Sequence, residues 1–496
     1  MLLAKPMRRP PYGLLLAVLA VTTFYLYHPP SFHSLLPSRK DFRSQKAPNA
    51  TAHLLSETTQ QYWSTLHATL KKTSPSIPPL KFSRPVNGEE IDPGRNDNTT
   101  PRPDLIQISA ADLEALKTGH RGFVSLLKFL APRLPRWKGS KGVVLTAGGG
   151  YLGDALTSIL MLRRSGSQLP AHVFVDTPSE RDPLICDEIL PRLNVECLVF
   201  SDLLRPTDGV KHYQYKVLSI LLSPFEKVLY LDADAWPIRS PDTLFASEPF
   251  TTHGLISWPD FWVTTISPVF HRAANISASP VLRRRSSESG ILLYDKSIHA
   301  DSLLLSTYYN WYGPGCYYPL LSQGAPGEGD KETFVQAALA LGRTFWDVRT
   351  PVTVLGRWIN GTFETSGMKQ ADPERDFQLQ KAYGAVAADH AREPPAETKA
   401  APLFIHHNLF KVDIMALGRA TDPMFRRDEK GRFGRLWGPD RSLVEDSGYD
   451  VERAMWDTVL DAHCAADGPI ASGGCVELEE WYKAVFVDSP PLVEGL

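Results

Sequence analysis

The chain of 496 residues carries 53 Lys and Arg against 55 Asp and Glu, a formal net charge of −2, so it lacks the basic excess of a nucleic-acid binder. Hydrophobic residues at 43% and charged residues at 22% match an ordinary globular protein, which excludes wholesale disorder and a multi-span membrane protein. Five cysteines are too few for a disulfide-stapled scaffold, and their odd number leaves at least one thiol unpaired within the chain.

At the N-terminus, Tyr12 to Tyr27 read YGLLLAVLAVTTFYLY, follow Lys5, Arg8 and Arg9, and end at His28-Pro29-Pro30. The run is slightly shorter than the ~17–25 residues that cross an average bilayer and suits the thinner membranes of the early secretory pathway. A cleaved signal peptide would show a small-x-small site, which Phe24, Tyr25, Leu26 and Tyr27 do not offer. The expectation is an uncleaved signal-anchor over 12–27. The basic residues before it hold 1–11 in the cytoplasm, and everything beyond is lumenal. The sequons at Asn49, Asn98, Asn275 and Asn360 then become candidate glycosylation sites. An oxidising lumen permits disulfides. Cys464 with Cys475 and Cys186 with Cys197 are the candidate pairs, and the alternative is that all five are small buried apolar residues.

Residues 28–105, rich in Pro, Ser, Thr and Asn, read as a lumenal stem. Within it, Leu54 to Leu70 has the spacing of a stem helix or a self-association segment. A helical pattern over Leu105–Phe129 leads into a catalytic domain placed at 106–420. Gly142–Thr146 (GVVLT) is a short apolar run ending in Gly148-Gly149-Gly150, and Leu152–Arg164 is helical. His172–Val175, capped by Asp176, is a second run; helical Asp182–Leu193 leads to a third, Cys197–Phe200. Helical Tyr213–Leu222 leads to a fourth, Val228–Leu231. This alternation predicts βαβ units and a parallel sheet. Gly254–Ser257 and Ile291–Tyr294 are further strands, and Ser297–Tyr309 and Lys331–Leu341 further helices. Residues 421–496, charged and punctuated by Gly and Pro, read as a C-terminal extension.

The strongest chemical signal is Val228-Leu229-Tyr230-Leu231-Asp232-Ala233-Asp234, a buried strand that ends in two carboxylates. Alternation along a strand lets Asp232 and Asp234 point the same way. Such a pair binds a hard divalent cation while leaving room for diphosphate oxygens, and Mn²⁺ suits those ligands. Haloacid-dehalogenase-type phosphatases also follow an apolar strand with Asp-x-Asp, the first Asp being the nucleophile. There the strand opens the domain, whereas here it is about the fourth. The triple glycine is no P-loop, since it lacks the Gly-Lys-Ser/Thr ending. It can be a tight turn, a close approach for a nucleotide, or both. Thr146, Ala147, Gly148 and Asp176, at the ends of the first two strands, are candidate donor contacts.

The stretches KGVVLTAGGGYLGDALTSILMLRRSGSQLP, HVFVD, HYQYKVLSILLSPFEKVLYLDADAWPI, LISWPDFW, ESGILLYDKSIH, YYNWYGPGCYYPLLSQGAPGEGDKETF and FIHHNLFKVD span roughly residues 140 to 415. On these the chain resembles the fungal Golgi α-mannosyltransferases of the mannan-branching type, which hold α-1,2 and α-1,3 enzymes. Ala233 and Ala235 stand where members often have Ser or Asn, a change that leaves both carboxylates in place. The resemblance implies an α/β GT-A nucleotide-sugar transferase fold, Rossmann-like with a mixed sheet. It implies GDP-mannose as donor, Mn²⁺ as cofactor and retention of anomeric configuration. Lys216, 16 residues before Asp232, matches a donor-contacting lysine of the wider glycogenin-like transferases. Glu288 and Ser289 match their donor-sugar contact, and Asp330 their acidic sugar-binding residue, which makes Asp330 and Glu288 the catalytic candidates. The segment His406-His407-Asn408 with Lys411 resembles their C-terminal metal-binding and diphosphate-binding end.

Bland readings stand beside these: Lys216 as a surface lysine, Glu288 paired with the arginines at 283–285, and Asp330 as a helix N-cap. Strand alternation sends only one of His406 and His407 inward, and His407 is the expected ligand beside Asp232 and Asp234. Trp258, Asp260 and Trp262 are the expected acceptor contacts. The resemblance further implies a type II Golgi membrane protein with a lumenal catalytic domain, an α-mannose-containing glycan acceptor, and room for a complex with other mannosyltransferases. Retention needs either a carboxylate nucleophile or same-face attack by the acceptor. The α-1,2 linkage is expected over α-1,3; a UDP-sugar transferase of the same fold and a catalytically silent scaffold are the alternatives.

Overall fold

The computed structural model describes residues 50–94, 101–204, 210–277, 284–382, 398–419, 421–464 and 474–492. The apolar run at 12–27 and the sequons at Asn49 and Asn98 lie outside them. No described helix is long and apolar enough to cross a membrane.

Two short strands, β1 (Lys81–Phe82) and β2 (Ile106–Gln107), pair antiparallel ahead of the main sheet. The apolar runs read above form β3 (Trp137–Thr146), β4 (Ala171–Val175), β5 (Val195–Val199) and β6 (Phe225–Asp232). β7 (Ala235–Pro237) follows after one turn, then β8 (Leu255–Val263), β9 (Arg285–Asp295) and β10 (Trp346–Asp347). The seven-stranded sheet runs β10-β8-β9-β6-β3-β4-β5. Strands β3 to β6 pair parallel, as helical crossovers require, and β9 runs antiparallel to both β6 and β8. The sheet is therefore mixed. β11 (Thr353–Ile359), β12 (Thr362–Ala371) and β13 (Pro402–His406) join β7 in a four-stranded antiparallel sheet, order β11-β12-β13-β7.

Alternation divides the core in two. Val143, Leu145, Leu229, Leu231, Ile291 and Leu293 face one side of the main sheet, with helix α3 (Leu152–Arg164) packed there. Val144, Val228, Tyr230, Leu292 and Tyr294 face the other, against helix α4 (Gln214–Leu222) and helix α5 (Lys296–Trp311). Each fully buried Leu or Ile contributes ~1.5–3 kcal/mol by leaving water, so a continuous double-sided core holds the strand ends in fixed register. Thr146 pairs with Asp232 and with Phe174, which brings the carboxyl ends of β3, β4 and β6 to one edge. Because β9 runs the other way, its N-terminal half reaches that same edge.

Parts of the expected stem and of the expected C-terminal extension pack into the fold. The stretch expected as stem is helix α1 (Ala50–Lys72), numbered first in the chain, with helix α2 (Ala110–Leu130) following. Trp63, Leu66 and Leu70 of α1 are fully buried in the second core, and Tyr308 and Tyr312, in and just after α5, hydrogen-bond Thr73 O and Leu70 O. Its apolar stripe docks within the chain. Val86 and Ile91 likewise pack with Ala325 and Trp262. The tail is part of the fold as well: Trp456 and Trp481 are buried in the first core beside Trp437. Composition alone misreads such a segment, because a few buried tryptophans outweigh many polar neighbours.

The disulfides Cys186–Cys197 and Cys464–Cys475 are both formed, and Cys316 is a buried thiol. Both described sequon asparagines are exposed. Asn275 ends a helix with a left-handed φ of 56°, and Asn360 opens the Asn-Gly turn between β11 and β12 with a φ of 50°.

Glu452 carries a stability prediction. It is buried, its Oε2 has no hydrogen-bond partner, and burial pushes its carboxyl up to about 8 although Arg435 and the Leu436 N–H pull it down. The folded state thus keeps a proton that the unfolded chain releases near 4.5. Its stabilising contribution is full below that value and is lost as pH rises through about 8. Glu452→Gln should leave the melting temperature nearly unchanged at about pH 5 and raise it by a few degrees at about pH 9. Differential scanning calorimetry across that range checks it; equal shifts at both ends would remove the titration.

Candidate functional site

Asp232 ends β6, and the turn Ala233-Asp234 leads straight into β7. His407 N–H donates to Asp234 O at 2.8 Å, which locks the end of β13 onto this turn. In the register His406 faces Ala235. Asp232, Asp234 and His406 each offer a ligand atom, all within 4.8 Å of one another. His406 Nε2 lies 3.2 Å from Asp234 Oδ1 and 3.9 Å from Asp232 Oδ2. Its Nδ1 lies 3.2 Å from Glu288 Oε1. Glu288 thus stands on the side of the ring away from the aspartates, at ion-pair distance without a hydrogen bond, where carboxylates behind metal-binding histidines usually stand.

It is His406, and not the expected His407, that stands beside the two aspartates. His407 is fully buried, and its Nε2 accepts a hydrogen bond from Trp437 Nε1 at 2.8 Å, so that lone pair is spent. Trp236, Phe410 and Trp437 surround the ring, and burial pushes the imidazole down to about 3. At His406, burial would also lower the imidazole, but Asp234 and Glu288 outweigh it and hold it well above the ordinary range. Burial would raise Asp234, but His406 and Lys411 together hold it well below the usual carboxylate range. Gly290 makes this packing feasible: a Cβ there would stand 2.4 Å from His406 Cε1.

Beside the triad sits a second charged group. Lys216, buried on α4, places Nζ 3.2 Å from Asp232 Oδ2, 2.9 Å from both Ser289 O and Ser289 Oγ, and 3.4 Å from Asp330 Oδ2. Burial lowers its ammonium, yet Asp232, Asp330 and Glu288 outweigh this and keep it protonated. Ser289 Oγ donates to Asp330 Oδ1 at 3.3 Å. Burial pushes Asp330 up to about 6, against the pull of Lys216. Asp330 does not act as a side-chain helix cap: helix α6 (Thr333–Ala340) starts beyond it with no side-chain cap bond, and only Asp330 O serves Thr333. Lys216 is no surface lysine. Glu288 Oε1 accepts from Gly290 N at 2.5 Å and faces His406, and its Oε2 is buried with no hydrogen-bond partner among the described residues.

The other expected contacts divide. Thr146 Oγ1 lies 2.9 Å from Tyr230 OH, which donates to Asp232 Oδ1 at 2.7 Å, so both threonine and phenol orient the first aspartate. Ala147 is buried and its N–H is spent on Phe174 O, so that N–H is closed to a donor. Gly148 packs beside Asp176 and Glu180 at the strand edge, and Gly149 and Gly150 take φ of 72° and 94°, the tight turn that favours glycine. Asp176 is partly exposed at the end of β4. Lys411 Nζ contacts Asp234 Oδ2.

Trp258 is corrected as an acceptor contact: it is 0% exposed and its Nε1 donates to Ala371 O at 2.8 Å, so no ring face is open. Trp262 is partly buried against Val86 and Ile91. Asp260 pairs with Lys331 at 2.9 Å and ties the Trp-Pro-Asp-Phe-Trp segment to the loop that carries Asp330. The aromatic with an open face near this loop is Tyr213, 55% exposed and packed over Gly329. It is absent from the sequence reading, where it is simply the first residue of a helix.

A buried network also escaped that reading. Arg284 bridges Asp347 at 2.8 Å and Glu332 at 3.0 Å, while Glu332 Oε1 accepts from Ser287 N at 3.0 Å. These bonds clamp the start of β9 to the Asp330 loop, and so position Glu288 against Asp330. Charges four or five dozen residues apart give no periodic signal.

Residues 140–285 and 281–372 match the family model described as "Mannosyltransferase putative". The chain is 34% identical to α-1,2-mannosyltransferase MNN21 of Candida albicans, an alignment covering 73% of this chain and 63% of that protein. It is 32% identical to α-1,2-mannosyltransferase MNN23 of the same organism, covering 72% of each chain. With α-1,2-mannosyltransferase MNN2 of Saccharomyces cerevisiae it shares 33% identity over 55% of this chain and 52% of that one. The matched part thus spans between half and two thirds of MNN2 and MNN21. Among solved structures, the galactosyltransferase LgtC, in complex with donor and acceptor sugar analogues, aligns at 13% identity and a TM-score of 0.33. That alignment covers 62% of this chain and 95% of the other, a likeness too slight to argue from.

Proposed function

This chain belongs to the fungal α-1,2-mannosyltransferase family, and we propose that it transfers mannose from GDP-mannose to an α-mannoside, forming an α-1,2 linkage with retention on a GT-A scaffold. One observation carries the reading: Asp232, Asp234 and His406 converge within 4.8 Å at the carboxyl edge of the sheet, directly beside the Lys216–Ser289–Asp330 group. Two carboxylates and an imidazole suit Mn²⁺, a borderline cation that accepts oxygen and nitrogen donors. When bound, the cation would neutralise charge growing on the diphosphate as mannose C1 separates from it.

The chain's own residues supply the rest. Glu288 holds the His406 ring with Nε2 towards the aspartates. Tyr230 and Lys216 hold Asp232. Lys411 brings a positive charge to the diphosphate end, which favours the departing group. Asp330, buried against Lys216 and Ser289, is placed to accept hydrogen bonds from sugar hydroxyls. Tyr213 and Asp260 stand at the mouth, where an acceptor glycan would approach.

Two disulfides support an oxidising compartment. Together with the apolar run at 12–27 they favour a type II Golgi membrane protein with its catalytic part in the lumen. Incubating the full-length chain with Mn²⁺ and GDP-mannose, UDP-glucose or UDP-galactose tests the donor. GDP-mannose should be consumed fastest, and EDTA should stop it. A preferred UDP-sugar would replace the donor assignment, and no turnover of any donor would favour a silent scaffold.

A further inference from the structure

Asp330, Lys331 and Glu332 are consecutive charges, and each pairs with an opposite charge on a different element. Asp330 takes Lys216 of α4 at 3.4 Å, Lys331 takes Asp260 of β8 at 2.9 Å, and Glu332 takes Arg284, just before β9, at 3.0 Å. The third pair lies outside the donor contacts assigned above. Glu332 is 2% exposed, and a carboxylate taken this far out of water needs its oxygens satisfied. Its Oε1 accepts from Ser287 N at 3.0 Å, and its Oε2 accepts from Arg284 at 3.0 Å and from Ser287 Oγ at 3.2 Å. Arg284 in turn donates to Ser287 Oγ at 2.7 Å and to Asp347 of β10 at 2.8 Å.

Ser287 and Ser289 lie two apart on β9 and so share a face of the strand. Glu332 and Asp330 lie two apart on the facing loop. Two rungs therefore join β9 to this loop. The inner rung, Ser289 Oγ to Asp330 Oδ1, is long at 3.3 Å and carries the group that Lys216 shares. The outer rung, Ser287 to Glu332, has two bonds and a guanidinium behind it. The stronger rung fixes the spacing of the weaker, because β9 is bonded along its length to β6 and β8, and Asp330 O accepts from Thr333 N at 2.8 Å just past Glu332.

The geometry points to Glu332, backed by Arg284, as a positioning residue that sets the separation of Ser289 and Asp330, and with it the fit of the donor's sugar. This rests on the donor-site reading above. The bonds of the outer rung run to Ser287 and Arg284 and leave the cation and diphosphate end to Asp232, Asp234, His406 and Lys411. Loss of the rung thus costs the sugar's share of donor binding and spares the nucleotide's share.

Calorimetric titration of the full-length chain with GDP and with GDP-mannose, in Mn²⁺ and without acceptor, separates the two shares. Glu332→Gln removes the charge that faces Arg284. It should weaken GDP-mannose binding by about tenfold, the size of one well-placed hydrogen bond, with GDP binding unchanged, and should lower turnover by about 10²-fold, as a displaced reacting group does. Ser287→Ala keeps every charge and the backbone N–H, and should act in the same direction several-fold; it decides the matter if Glu332→Gln does not fold. Equal weakening of GDP and GDP-mannose would mark a merely structural bond and overturn the inference. A wild-type chain that binds neither nucleotide would sink the donor-site reading and this inference together. A wild-type chain that binds both, with variants that match it, would sink this inference alone.

Discussion

Asp234→Asn should lower mannose transfer by about 10³-fold or more, the loss of several kcal/mol of charge stabilisation, while the far-ultraviolet circular dichroism spectrum stays unchanged. Asp234 is buried between His406 and Lys411, and both hold its carboxylate ionised. The amide keeps the shape and removes the charge. It also removes one of the two carboxylates that hold the His406 imidazole above its ordinary range, leaving Glu288 as the other. His406→Ala should follow the same course, whereas His407→Ala should act on stability through the lost Trp437 bond and open a cavity in the core. Retained activity in Asp234→Asn would sink the metal site.

Asp330→Asn should reduce turnover by about 10²–10³-fold, the loss typical of one preorganised polar group, without weakening Mn²⁺ binding. The group touches Lys216 and Ser289, not the three candidate ligands' converging atoms. Its carboxyl is pushed up to about 6 by burial, so the ionised form that pairs with Lys216 grows in as pH rises through that value. Turnover of the wild-type chain should climb across the same window, and Asp330→Asn should lose this limb. A pH profile unchanged by the substitution would assign the titration to another group.

The parallel strands and the two aspartates were legible because the signal is local: an apolar run, a turn, a helix, repeated. The reversed β9 was not, since Ile291–Tyr294 reads the same in either direction. His406 could not be separated from His407 by alternation alone. The choice depends on β13 pairing β7 with His406 opposite Ala235, a contact between segments far apart in sequence. Trp258 showed the same limit, being aromatic enough for a sugar platform yet spent on Ala371 O. Helix α1 was visible as a helix but not as core, because its partner face on α5 lies more than two hundred residues away. The Arg284–Glu332 clamp carried no motif at all.

The reaction product decides whether the chain transfers mannose as proposed. Full-length chain, Mn²⁺, GDP-mannose and an α-1,6-mannobiose acceptor should yield a trisaccharide whose proton NMR spectrum shows a new α-anomeric mannose on a 2-hydroxyl. A β-anomeric signal, or no mannosylated product while the intact chain binds Mn²⁺, would contradict the account.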